Sequence, residues 1–389
     1  MSTPQERLDR LVERHSDFQP LGDDFSNSAI IRRGALLVPA ANVSRVEESV
    51  RRWVDRREDI PDLGVARFRL RGDADVPDLI TTSFSPEGGA RLASPVHMFR
   101  GEPSYSGGPA TKPEPVEPGS EAPRGRPGRV RVAVLDTGIA RHPWFPPEAW
   151  DALDHDDVTD VLDADNDYDL DAQAGHGTFV AGIVRRHAPD ARITVGRVLG
   201  SGGLCDEVDL LTAIWRVGEL NRLPGRRVDV VNLSLGAFTW DDQPPDLLSA
   251  ALAALGPETV VVAAAGNAGM NRVFWPAALD DVVGVGALTS DGAGPASFSN
   301  TGEWVDAWAV GDRVQSSFVT FDGTEPPAAD IDPDCFKGFA TWSGTSFATP
   351  RVAAEVARRA EDERRTVRDV LPDVLRDLSA PTGATDGTP

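Results

Sequence analysis

A serine, a histidine and an aspartate stand in surroundings that suit acyl-transfer chemistry. In Gly344-Thr345-Ser346-Phe347-Ala348-Thr349-Pro350 and beyond, the apolar residues Phe347, Ala348, Val352, Ala353, Val356 and Ala357 recur at helical spacing, so Ser346 falls in a first helical turn. The unpaired amides and positive dipole end there favour a developing oxyanion. Gly344 lets a substrate backbone come close to the hydroxyl. Gly175-His176-Gly177 opens a second helix whose small residues permit tight packing. Val132-Ala133-Val134-Leu135-Asp136-Thr137-Gly138 reads as a buried parallel strand ending on a carboxylate and a turn glycine. Open α/β sheets place their active sites at such carboxyl ends. His15, His97, His142, His155 and His187 have no comparable setting and read as surface or structural groups.

The chemistry follows from the residue types. A neutral His176 accepts the Ser346 proton as the hydroxyl attacks a carbonyl, then delivers it to the leaving amine. Asp136 holds the imidazole in the required tautomer and stabilises the transient imidazolium. The chain order Asp136, His176, Ser346, with intervals of 40 and 170 residues, is the subtilisin order of this triad. It differs from the chymotrypsin and α/β-hydrolase orders.

With these motifs the chain resembles the subtilisin-like serine peptidases (subtilases, peptidase family S8) over roughly residues 129 to 362. The segments between the motifs match as well. Val231-Asn232-Leu233-Ser234-Leu235-Gly236 looks like the strand that lines the family's substrate pocket, and Val260 to Asn267 like the strand carrying its oxyanion-hole Asn. Trp275-Pro276-Ala277 and Phe298-Ser299-Asn300-Thr301-Gly302 match further family positions. The resemblance implies an α/β, three-layer peptidase domain with a mostly parallel central sheet. It implies oxyanion donors at the Asn267 carboxamide and the Ser346 N–H. It places the primary pocket between Ser234, Leu235, Gly236 and Ala264, Ala265, Gly266, with substrate backbone running between Gly200–Gly203 and Leu233–Gly236. Phe274 stands where a small residue often forms the pocket floor, so the pocket is expected to be short. The implied activity is serine endopeptidase. The alternative is a catalytically silent binding or scaffold protein of the same fold, but degenerate members usually lose a triad residue or the oxyanion Asn, and all four are present here.

Composition bounds the remaining classes. At 389 residues, one large domain and a smaller one are expected. No apolar run reaches about 18 residues, and Met1 to Arg14 lacks the apolar centre of a secretion signal, so membrane partners are disfavoured and cytoplasmic residence is expected. Cys205 and Cys335 are read as two separate reduced thiols. The net charge of −22 divides into −2 for residues 1–128 and −20 for the rest. A surface that acidic disfavours nucleic acid and leaves peptides or proteins as the expected partners. Nothing in the sequence sets the oligomeric state.

Residues 1–100 read as a small α+β domain. Gly34 to Ala40 is an apolar strand, and Asn42 caps a helix with apolar face Val43, Val46, Val50, Trp53 and Val54. Ala66, Phe68 and Leu70 alternate with arginines as in a strand with one buried face. A short helix begins near Val76, and Val96 to Phe99 forms a third strand. The order resembles a subtilase pro-domain; a regulatory or recognition domain is the other reading. Residues 101–128, with seven prolines and six glycines, are expected to form an extended linker. The peptidase domain is assigned to 129–378, closing with an amphipathic helix through Val367, Val370, Leu371, Val374 and Leu375, and 379–389 to a disordered tail. Asp154 to Asp171 carries nine aspartates. Because the run lacks the glycine and closing glutamate of an EF-hand loop, it is read as a solvated acidic loop without a metal site; calcium on its oxygen-rich side chains is the alternative. No cofactor is required by the triad chemistry.

Overall fold

Strict alternation inside the Val-rich runs builds the body of the molecule. In the strand Arg131–Asp136, Val132 and Val134 join one apolar cluster while Ala133 and Leu135 join another. The strands Val230–Leu233 and Val260–Ala264 divide their residues the same way. Side chains of successive strand residues point to opposite faces, so each run packs two layers at once. The computed structural model describes residues 16–22, 28–72, 74–85, 91–101, 112–117, 122–154, 157–164, 166, 170–323 and 335–379.

Seven parallel strands form the central sheet in the order Ala307–Val310, Val282–Leu288, Val260–Ala264, Val230–Leu233, Arg131–Asp136, Arg192–Arg197, Trp150–Ala152. Helices His176–His187, Thr345–Glu363 and Val367–Asp377 contribute to the cluster on one face; Glu207–Asn221 and Asp246–Ala253 contribute to the cluster on the other. This is the three-layer α/β arrangement expected from the sequence. The last helix opens on a capping box, Thr366 with Asp369.

The N-terminal sheet is antiparallel, with neighbours in the order Ser94–Gly101, Ala29–Pro39, Val65–Leu70, Val54–Ile60. Phe18–Leu21 also pairs with Ala29–Pro39. The helix after Asn42 ends at Val50, and the Asn42 side chain does not cap it. Trp53 and Val54 therefore do not extend its apolar face; Val54 opens a strand absent from the sequence reading. That strand, Val-Asp-Arg-Arg-Glu-Asp-Ile, lies at the sheet edge and is largely exposed. It carries no apolar alternation by which it could be recognised.

The arginine face of Val65–Leu70 is not simply solvated. Arg67 and Arg32 both reach Asp206, at 3.4 and 2.7 Å, at the start of the Glu207–Asn221 helix. On the same side Ala35, Leu37, Val65, Val96 and Phe99 share an apolar cluster with Val208, Leu211 and Leu248. The N-terminal sheet thus packs helices on one face and the body built on the parallel sheet on the other.

Parts of the proline- and glycine-rich stretch are held to the body. Glu114 and Pro115 pair with Thr341 and Ala340, and the Gly128 N–H donates to the Asp190 carbonyl. The expected tail from 380 onward lies outside the described residues, as do Asp165, Asp167 and Asp169 of the acidic run. Among the described residues no group of three or more metal-ligating side chains is drawn together. Cys205 is buried and Cys335 exposed, and both are free. No described helix is long and apolar enough to cross a membrane.

Candidate active site

Asp136 ends the strand Arg131–Asp136, an interior strand of the parallel sheet, and His176 begins the helix that packs beside it. The Asp136 Oδ1 lies 2.7 Å from the His176 Nδ1 and also accepts the Thr137 N–H at 2.8 Å. Both side chains are fully buried. Gly177 makes this approach possible: a Cβ there would meet the Gly138 carbonyl oxygen at 2.3 Å and the Asp136 Cβ at 3.2 Å. Its N–H instead donates to the Thr137 Oγ1 at 2.9 Å. Trp342 and Phe347 stand 5.5 and 5.4 Å from the imidazole, ring centre to ring centre, and shield it.

Ser346 is the second residue of the Thr345–Glu363 helix, in the first turn as the sequence indicates. Its Oγ donates to the Ser234 carbonyl at 3.0 Å. Pro350, four residues on, has no N–H for the Ser346 carbonyl. The Ser234 Oγ donates to that carbonyl instead, at 2.8 Å, and itself accepts from the Asn232 Nδ2 at 3.0 Å. Ser234 therefore fixes the Ser346 backbone.

Asn267 accepts the Thr345 N–H through Oδ1 at 2.8 Å, which brings its carboxamide to the start of the serine helix. Asn300 shapes this loop: its Nδ2 donates to the Ala265 carbonyl, and its Oδ1 accepts the Ala268 and Met270 N–H groups. Sequence reading noted the Phe298–Gly302 segment but gave Asn300 no role; a polar residue in an otherwise matching turn was the available signal. Ala264 and Ala265 are wholly buried. Their backbone is taken up by the sheet and by Asn300.

The acidic run contains one residue that departs from the solvated reading. Asp160 is buried, accepts the Thr178 Oγ1 hydrogen bond at 3.0 Å, and donates its N–H to the Ile139 carbonyl. Burial pushes its carboxyl up to about 6; the Asp136 charge adds to this, while the Gly175 N–H and the Thr178 and Thr137 hydroxyls oppose it.

The expected groove is filled by the chain itself. Met98, Phe99 and Arg100 run antiparallel to Asp206, Cys205 and Leu204, while Arg100 and Gly101 pair with Gly236 and Leu235. The Gly101 N–H donates to the Gly203 carbonyl at 2.7 Å. Phe274 is fully buried between the two predicted pocket walls: a Cβ on Gly236 would lie 2.2 Å from its ring, and one on Gly266 3.1 Å.

Comparison with known proteins identifies the family. A family model described as the subtilase family, peptidase S8, matches residues 128–379. A thermophilic serine proteinase of Bacillus sp. (strain AK1) is 34% identical over 61% of this chain and 53% of its own length. An intracellular serine protease of Paenibacillus polymyxa is 30% identical over 59% of this chain and 65% of its own. The chain thus spans between half and two thirds of these curated relatives. Among solved structures, a cold-adapted subtilisin-like serine proteinase aligns with a TM-score of 0.50 at 26% identity, covering 70% of this chain and 90% of that one. Fervidolysin from Fervidobacterium pennivorans aligns with a TM-score of 0.60 at 18% identity. That likeness, one of fold alone, covers 90% of this chain and 62% of the other and so extends into the N-terminal sheet.

Proposed function

Because the chain belongs to the subtilase family, we propose that it is a serine endopeptidase acting on peptide or protein substrates through Asp136, His176 and Ser346. The observation that carries this reading is the buried 2.7 Å contact between Asp136 and His176, formed at the sheet end where Ser346 opens its helix. In the reaction the Ser346 Oγ leaves the Ser234 carbonyl and attacks the scissile carbonyl while His176 takes its proton. The negative charge on the tetrahedral oxygen is met by the Asn267 carboxamide and the Ser346 N–H. His176 then protonates the leaving amine, and a water repeats the sequence on the acyl-enzyme. Asp136 stays ionised and steadies the imidazolium.

The N-terminal sheet restrains this activity. Its last strand occupies both edges along which an extended substrate would add. Asp136, His176 and Ser346 have no solvent exposure in this arrangement. Residues 1 to about 100 are read as a folding aid and inhibitor, released by cleavage within 101–128.

The test compares wild type with Ser346→Ala on an unstructured protein substrate, with intact mass recorded for both. Hydrolysis and a shortened chain in the wild type alone support the reading. Equal hydrolysis by both proteins overturns the peptidase assignment; two full-length chains with an active wild type overturn the release of the N-terminal unit.

A further inference from the structure

The strand in the groove also specifies side chains. Ser234, which holds Ser346, precedes Leu235 and Gly236, whose partners are Gly101 and Arg100 in turn. The bound strand therefore runs from Phe99 through Arg100 and Gly101 toward the nucleophile, and its residues stand where the acyl side of a substrate would lie.

Each of the three meets a distinct surface. Phe99 is fully buried in the apolar cluster that contains Leu210, Leu235 and Leu248. Gly101 is held closely, since a Cβ there would sit 3.0 Å from the Leu199 Cδ1 and 3.1 Å from the Gln173 Oε1. Arg100 is 5% exposed, and its guanidinium carbon lies 5.5 Å from the Phe238 ring centre and 5.8 Å from that of Phe274. The two rings pack edge to face at 4.9 Å and form an aromatic corner. A cation over aromatic faces is attracted by their quadrupoles, more strongly when water is excluded. A carboxylate there would meet the same faces with the wrong sign. Arg272 lies over Phe238 as well, at 4.8 Å, but Asp242 pairs with it at 2.6 Å.

We propose that this groove selects peptides carrying a large apolar residue, a cationic residue and a glycine in succession on the acyl side of the cleaved bond, with Phe238 and Phe274 recognising the cation. The proposal rests on the groove reading given above, and its test separates the two.

The first measurement needs no turnover. Amide hydrogen exchange is followed in the full chain carrying Ser346→Ala, with the Arg131–Asp136 strand as the internal control for an intact fold. Arg100→Glu is expected to speed exchange at Phe99–Gly101 and at 204–206 by about tenfold. Arg100→Lys should stay within about threefold, and Phe238→Leu should loosen the same amides several-fold with Arg100 in place. Equal exchange for Arg100→Lys and Arg100→Glu overturns the proposal. The second measurement gives the wild-type protein matched peptides containing Phe-Arg-Gly-Ala or Phe-Glu-Gly-Ala before the scissile bond. Faster cleavage of the arginine peptide supports the preference, and equal cleavage overturns it while leaving the peptidase reading intact. Charge-selective exchange with neither peptide cleaved would support the groove's preference and count against the peptidase reading.

Discussion

The catalytic floor and the groove above it are built on different length scales. Asp136, His176 and Ser346 each sit inside a local motif that dictates its own surroundings: a strand end, a glycine-flanked helix start, and a helix mouth followed by proline. The groove is assembled by pairing residues about 100 or more positions apart, such as Phe99 with Cys205 and Arg100 with Gly236. Each triad residue can thus be recognised from its own motif, whereas the groove exists only where distant segments pair. The aromatic corner and the filled primary pocket are where the proposed selectivity of this chain would lie.

That division predicts that floor substitutions change turnover and groove substitutions change choice. Asn267→Ala is expected to cut kcat by about 10²–10³-fold with KM little altered, a magnitude carried over from the oxyanion-hole asparagine of subtilisin. A loss below about threefold in steady-state kinetics would mean another donor serves the oxyanion.

Asp160 tests whether the floor stores electrostatic cost. Its carboxyl is raised from 3.8 to about 6, so the fold favours the neutral form. The stability this provides is complete below about 3.8 and is lost as pH rises through about 6. Between pH 4 and 7.5 the wild type should therefore lose about 2 kcal/mol relative to Asp160→Asn. Urea unfolding at several pH values reads this difference directly; parallel stability curves would contradict it.

Phe274→Gly is the corresponding test of the groove. With the ring gone, the space between Gly236 and Gly266 opens, and acceptance of aromatic residues next to the scissile bond should rise about tenfold relative to alanine, in keeping with one to three kcal/mol for pocket discrimination. The comparison is made as a ratio of kcat/KM values at a temperature where the variant is folded, since removing a buried Phe costs about 3–5 kcal/mol. An unchanged cleavage profile would show that Phe274 does not close the pocket.

The same contrast explains what could be read from the residues alone. The parallel sheet was legible because its strands are apolar on both faces, and the serine helix because its apolar positions keep a 3.6-residue period. Strand Val54–Ile60 was not, since an exposed edge strand of charged residues is specified by its partner Val65–Leu70 rather than by its own pattern. Asp160 was hidden among eight other aspartates with nothing in their spacing to show that it folds inward. Phe274 was legible from its place before Trp275-Pro276. The aromatic corner was not, because Phe238 and Arg100 meet only in three dimensions.

The central claim, that Ser346 is a nucleophile activated by His176 and Asp136, is tested most directly by intact mass after prolonged incubation with a fluorophosphonate. One adduct per chain is predicted, on the peptide containing Ser346, absent from Ser346→Ala and much slower to form in His176→Ala. No adduct on the wild type, or one that persists in Ser346→Ala, would contradict the account.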